Sequence, residues 1–181
     1  MKTKNMRYLI IIALLVVAFA GISLYLNSVN SNENKHFEGS GVSFDYPKGW
    51  SFGGHTNTTI SAQKNDPMAS LNMRLHFKAP TTLESSRTVA LYEASKMKAK
   101  VLIDKNITID GEKGNFIAVK SNDGFEYAFI TFFKNGKEYD FVFASKNIQK
   151  IQSDINTITS SFHVKTKTGF WDNLISFFRG N

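Results

Sequence analysis

The sequence predicts an α+β domain, an antiparallel sheet with helices packed against it, held behind one N-terminal transmembrane helix. Three observations predict it. Residues Tyr8 to Leu26 form an uncharged apolar run behind Lys2, Lys4 and Arg7. Several short segments between Val42 and Ala144 carry the two-residue apolar period of strands, separated by Gly-, Pro- and Asn-Gly-type turns. Two stretches, one from Leu83 and one from Ile148, carry apolar residues at the three- and four-residue steps of helices instead.

The apolar run is long enough to span: at 1.5 Å per residue a helix over 8–26 is about 28 Å, close to the hydrocarbon thickness of a bilayer. The basic flank, residues 1–7, is expected to stay in the cytoplasm, which puts the remainder outside. The competing reading is a cleavable signal peptide with its small-x-small site at Ala18-Phe19-Ala20, releasing a secreted domain. The run continues through Ile22, Leu24, Tyr25 and Leu26, a full span rather than a short signal core, and this favours an uncleaved anchor. A lipid-modified cysteine is excluded because the chain has none. Residues 27–36 follow as a polar, Asn/Ser-rich tether that cannot bury a core.

The absence of cysteine also excludes a disulfide scaffold, a thiol nucleophile and a cysteine zinc site. The formal net charge is +7. Three of these charges belong to the N-terminal flank, which leaves a modest excess compatible with an anionic surface. The basic residues are scattered, without an aromatic-interleaved patch, so nucleic acid is not an expected partner.

Along the domain, the first strand is expected at Val42 to Tyr46, ended by Pro47 and Gly49, with Phe44 and Tyr46 on one face. Weak strands follow near Trp50 to Gly53 and Thr59 to Gln63. Leu71, Met73, Leu75 and Phe77 alternate with Asn72, Arg74 and His76, a half-buried strand that Pro80 stops. Thr82 is a suitable N-cap, with Glu84 in the first turn. From it an amphipathic helix is expected to reach about Lys100, with Leu83, Ala90, Leu91, Ala94, Met97 and Val101 on its inner face. A short strand at Asn106 to Ile109 closes at Asp110-Gly111. Strands at Asn115 to Lys120 and Glu126 to Phe133 join across Asn122-Asp123-Gly124, and Asn135-Gly136 turns into a strand at Glu138 to Ala144. Glu126 to Phe133 is apolar on both faces toward its end and is expected inside the sheet. The last helix carries Ile148, Ile151, Ile155, Ile158 and Phe162 on one face.

Several phrases, in this order, resemble the PsbP-like family, in particular the PsbP-related exterior proteins of methanogenic archaea. They are Gly41-Val-Ser-Phe-Asp-Tyr-Pro-Lys-Gly-Trp50, Thr82-Leu-Glu, Ile107-Thr-Ile-Asp-Gly111, Phe132-Phe-Lys-Asn-Gly-Lys137 and Ile155-Asn-Thr-Ile-Thr-Ser-Ser-Phe162. The resemblance covers roughly residues 37–164. It implies an α/β/α sandwich around a central antiparallel sheet, and it implies binding rather than chemistry. Plant and cyanobacterial members of the family are accessory subunits of photosystem II, and a eukaryotic fold relative binds the Ran GTPase. Fold does not transfer those partners, and no residue set of this sequence matches a photosystem or metal contact, so none is carried over.

No arrangement of residues reads as catalytic, and no cofactor is expected. His36, His55, His76 and His163 lack the helical spacing of a metal pair, although His76 and His55 could meet across strands. Ser40 lies in Gly39-Ser-Gly41, without nucleophile-elbow spacing, and Ser160 and Ser161 read as a polar helix edge. Asp104, Asp110, Glu112 and Asp123 could gather at loop ends around Ca²⁺, but the alternating spacing of a calcium loop is missing. Asn57-Thr-Thr59 and Asn106-Ile-Thr108 match the N-glycosylation acceptor pattern, with Asn57 the better placed.

Residues 165–181 form a tail in which Phe170, Trp171, Leu174, Ile175 and Phe178 share one helical face, suited to a membrane interface or a partner groove, the competing reading being that it folds back onto its own sheet. The expectation is a tethered, extracytoplasmic, non-enzymatic binding module with a protein partner. The alternative is a carrier or sensor holding a small molecule or lipid between the sheet and a helix.

Overall fold

The computed structural model describes residues 34–78 and 82–165. The chain divides into two units, Met1–Asn34 and Lys35–Asn181, and every described element belongs to the second. The anchor, most of the tether and the apolar residues of the tail lie outside the described residues. No described helix is long and apolar enough to cross a membrane.

The strands are β1 (Lys35–Gly39), β2 (Val42–Tyr46), β3 (Trp50–His55), β4 (Thr59–Asn65) and β5 (Met68–Phe77). Helix α1 (Leu83–Lys96) follows, then β6 (Lys100–Ile109), β7 (Glu112–Lys120), β8 (Glu126–Lys134) and β9 (Lys137–Ser145). A 3₁₀ turn (Ile148–Ile151) leads into α2 (Gln152–Ser161), and β10 (His163–Val164) ends the domain. The seven-stranded antiparallel sheet runs β3-β4-β5-β9-β8-β7-β6, and a second sheet runs β1-β2-β10.

The sequence suggested one sheet, and the second one is the main departure. β1 begins at Lys35, inside the segment read as tether, and pairs with β2 from Lys35↔Tyr46 to Gly39↔Val42. β10 is only two residues long and carries no periodic signal; it exists because Val42 and Ser43 offer it a ladder.

The two faces of the large sheet are covered differently. On one, Ile60, Leu71, Met73, Phe116, Ile130, Phe132, Tyr139, Phe141 and Phe143 meet Val42, Phe44, Ile151, Ile155, Ile158 and Phe162 from the small sheet and α2. All of these are nearly inaccessible to water. On the other, Ile117, Val119, Tyr127 and Phe129 pack against Ala90, Leu91 and Ala94 of α1. β7 is thus buried on both faces from Gly114 to Val119. β8 lies inside the sheet between β9 and β7, as its apolar faces require.

α1 differs from its expected form at its end. Thr82 caps its start, the hydroxyl accepting from the Ser85 amide at 3.2 Å. The helix stops at Lys96 rather than Lys100, because Lys98 turns left-handed (φ 50°). The Ala99 and Lys98 amides then donate back to the Ala94 and Ser95 carbonyls, each at 2.9 Å. This is a Schellman closure, usually signalled by glycine and here built on lysine. Released from the helix, Val101 joins β6, which extends six residues upstream of the strand the sequence suggested and leaves Val101 exposed. Of the expected inner face only Ala94 is fully buried.

α2 is anchored through polar chemistry as well as its isoleucines. Trp50 Nε1 donates to Asp154 Oδ2 at 2.8 Å, and Lys64 Nζ donates to the same oxygen at 2.6 Å. The Glu126 carboxylate accepts from the Ile148 amide at 2.9 Å, holding the 3₁₀ turn to β8.

Candidate functional site

Strand β5 breaks its own alternation near its end. Leu71, Met73 and Leu75 point inward as expected, but Phe77 is 45% exposed. The cause is His76, whose backbone is left-handed (φ 55°), with the register to β9 shifting between Arg74 and Phe77. Ser40, Asp110 and Asn135 share that conformation, but each precedes a glycine of positive φ in a two-residue hairpin turn, where it is ordinary. His76 lies in a strand with no such turn, so its backbone stores strain that its contacts must offset.

Those contacts are specific. His76 Nε2 lies 2.7 Å from the Ser40 carbonyl, which can only accept, so Nε2 carries the proton. Nδ1 is then the acceptor for the Tyr139 hydroxyl at 2.9 Å. The Tyr139 ring is stacked on Phe132 with centroids 4.9 Å apart. Burial, and secondarily the negative charge of Asp110, push the Tyr139 phenol above its usual range, so it stays a donor. Gly41 leaves room for the imidazole: a Cβ there would stand 3.0 Å from His76 Nε2.

The same end of the domain holds a second cluster. The Asp110 carboxylate accepts from Lys134 at 2.7 Å, His163 Nδ1 at 2.8 Å and the Val164 amide at 2.8 Å. Burial alone would raise its pKa; the hydrogen bonds of Lys134, Val164 and His163 outweigh this and hold it below the ordinary carboxylate range. The cluster ties β10 to the β6–β7 turn and covers an amide on the free edge of β10.

Between these features opens a cleft of about 920 Å³. Its walls come from the β1–β2 turn (Ser40, Gly41), the β3–β4 turn (Asn57, Thr58), His76 of β5, the β8–β9 hairpin (Asn135 in the turn, Lys137 and Tyr139 on β9) and the end of β10 (Val164, with Lys165 after it). The β3–β4 turn is fixed to β5 by the Leu75 amide, which donates to the Thr58 carbonyl at 2.8 Å. The cleft is open and lined mostly by polar residues, whose apolar atoms also contribute to its surface, and it is built from loop tips on a rigid sheet, the usual placement of a recognition surface.

The other candidate residues are placed as follows. His55 lies edge-on to Phe37 and does not meet His76, because β4 separates β3 from β5. His36 pairs with Asp45 at 2.7 Å on the surface. Ser40 Oγ donates to the Thr56 carbonyl at 2.6 Å. Ser161 donates to the Thr157 carbonyl and accepts the Asp45 amide, and Ser160 lies 3.4 Å from the same Thr157 oxygen. The acidic residues do not gather. Asp110 and Asp123 occupy turns at opposite ends of β7, and Asp123 accepts from the Phe125 amide. Asp104 accepts from Arg87, a hydrogen bond that lowers its pKa. Glu112 is exposed at the start of β7. Among the described residues no group of three His, Cys, Asp or Glu could hold a metal ion. Asn57 is exposed at the cleft rim and Asn106 on strand β6. Phe170, Trp171, Leu174, Ile175 and Phe178 lie outside the described residues.

Sequence reasoning missed Lys137 and Tyr139 as walls of one cleft, and Asp110 and His163 as a pair that holds Val164 in its wall. Strand alternation places His76 outward, and nothing local announces its left-handed turn.

No family model matches the chain, and no curated protein matches it by sequence. Solved structures do. The domain is similar to the cyanobacterial PsbP (CyanoP) of Synechocystis, with TM-score 0.54, 15% identity, and 74% of this chain and 93% of that one covered. It is also similar to the Ran-binding protein Mog1p of Saccharomyces cerevisiae, with TM-score 0.53, 10% identity, and 74% and 96% covered. A Bacteroides thetaiotaomicron protein matches with TM-score 0.52 and 8% identity, the match covering 76% of this chain and 50% of that one. At these identities the likeness concerns architecture: the domain has a PsbP/Mog1-like fold, mostly antiparallel sheet with two helices.

Proposed function

We propose that this chain is a membrane-tethered, extracytoplasmic binding module without catalytic activity, one of the PsbP-related exterior proteins of methanogenic archaea. In this reading it docks on or stabilises an envelope or membrane protein complex. The observation that carries it is the cleft: a concavity lined mostly by polar residues and assembled from five separate hairpin or strand ends, whose histidine is held in strained backbone by two hydrogen bonds. Among the described lining residues its serine hydroxyl, Ser40, donates to the Thr56 carbonyl, and its histidine, His76, is engaged with the Ser40 backbone carbonyl and the Tyr139 hydroxyl. The apolar run at 8–26 behind its basic flank supports the tether, and the Ran-binding role named for the yeast neighbour supports binding as the kind of task.

A carrier for a lipid between sheet and helix is the weaker reading. The space between the large sheet and α2 is filled by Phe44, Phe132, Tyr139, Phe141 and Phe162, whose rings contact one another at 4.8–6.2 Å.

Cross-linking mass spectrometry of the native protein in intact cells tests the proposal. Reproducible links from cleft lysines to one membrane complex are expected. Links scattered over abundant bystanders would overturn it.

A further inference from the structure

We propose that the cleft recognises an acidic peptide segment of a partner protein, with Lys137 as the charge that anchors it; this rests on the binding-module reading above. Among the described residues the walls carry two lysines, Lys137 and Lys165, and no Asp or Glu. The lysines of this region are not equivalent. Lys134 is fixed on Asp110, and Lys165 is paired with Glu38 at the rim. Lys137, half-buried at the start of β9, has no carboxylate partner among the described residues. A charge held in a concave wall faces an incoming carboxylate from a less screened position than one on an open surface does.

The neighbouring groups complete a polar surface. Asn57 and Asn135 stand on the turns beside Lys137, and their amides can donate to carboxylates or to peptide carbonyls. His76 is not a further ligand, because both of its nitrogens are engaged; its role is to fix the floor. Size decides between a lone anion and a chain. A cleft of about 920 Å³ far exceeds one oxyanion and has room for several residues. Among the described residues neither an arginine fork nor a helix N-terminus lines it, the two devices that most often select phosphate.

The test is fluorescence anisotropy of a fluorescein-labelled hexaglutamate peptide with the full-length chain in a non-ionic detergent. Saturable binding is expected at low salt, weakening as salt rises. Lys137→Gln should lower the affinity roughly tenfold, as loss of one charge-assisted contact does, while Lys146→Gln, exposed and outside the cleft walls, should leave it unchanged. An amide shift map is expected to place the peptide at Asn57, Asn135 and Tyr139, and the spectrum of Lys137→Gln reports whether that variant is folded. Absence of saturable binding, equal losses in both variants, a shift map away from the cleft, or full displacement by equimolar inorganic phosphate would each overturn the proposal. In-cell cross-links that persist unchanged in Lys137→Gln would overturn it while leaving the module reading intact. Absence of a common partner for the wild type would remove that reading instead.

Discussion

His76 is the residue at which local preference and tertiary structure disagree most. Left-handed backbone outside a turn costs on the order of 1–3 kcal/mol, and it persists because Tyr139 and the Ser40 carbonyl hold the ring from both sides. Tyr139→Phe keeps the stacked ring but removes the donor to Nδ1; urea unfolding should show a loss of about 1 kcal/mol. Asp110 works with an opposite pH sign from a group whose pKa rises on folding. Its folded pKa is lowered, so its stabilisation is complete above the unfolded carboxylate value of about 4 and is lost as pH falls through the lower folded value. Asp110→Asn is expected to cost about 2 kcal/mol at neutral pH, since it leaves the mostly buried Lys134 without its charge partner. The same variant should flatten the acid limb of the stability curve. An unchanged acid limb in thermal unfolding from pH 2 to 7 would assign the acid sensitivity to other carboxylates.

At the scale of elements, the two helices are held by different means. α2 presents Ile155 and Ile158 to the aromatic core with almost no exposure. Ile155→Ala should therefore cost about 3 kcal/mol by cavity formation. α1 leaves Val89 and Tyr92 more than half exposed, and Val89→Ala should change stability by less than about 0.5 kcal/mol. Chemical denaturation of the pair separates the two packing modes, and comparable losses would refute the assignment of faces. Trp50 adds a polar anchor. Trp50→Phe removes the indole N–H from a carboxylate that is only 7% exposed, with an expected loss of about 1–2 kcal/mol. At the sheet edge, β6 exposes Val101 and Leu102, but a register shift between Val101 and Ile103 bends the ladder there, and Lys100 and Lys105 add charge. Bulges and lysines are common defences of an edge against pairing with another chain.

At the scale of the whole molecule, the central organisation is a seven-stranded sheet used on both faces, with α1 on one and α2 plus the small sheet on the other. The large sheet supplies rigidity, and one end of it gathers the turns that build the cleft. Val164 is the last buried residue among the described residues, and the apolar residues of the tail lie beyond them. On the reading of the tail as a membrane or partner contact, a Trp171→Ser, Phe178→Ser double variant is expected to keep the melting temperature of the domain and to lose membrane or partner association. Calorimetry together with membrane co-sedimentation checks this. A large fall in melting temperature would make the tail part of the domain.

The sequence by itself determined the elements whose signal is local. β2, β5, β8 and α2 follow from apolar periodicity, the start of α1 from Thr82, and the Asn135-Gly136 hairpin from turn chemistry, because each is a property of a few adjacent residues. The fold class followed from their order. Tertiary structure alone decided the rest. The small sheet needs β10 to find β2 across more than a hundred residues, and the Schellman end of α1 uses a lysine that no propensity singles out. The cleft is the extreme case. Ser40, Asn57, His76, Asn135, Lys137 and Lys165 are ordinary polar residues in ordinary turns and strand ends. They become a surface only when long-range pairing brings five strand ends together and strain turns one histidine inward, and a one-dimensional pattern cannot encode such contacts.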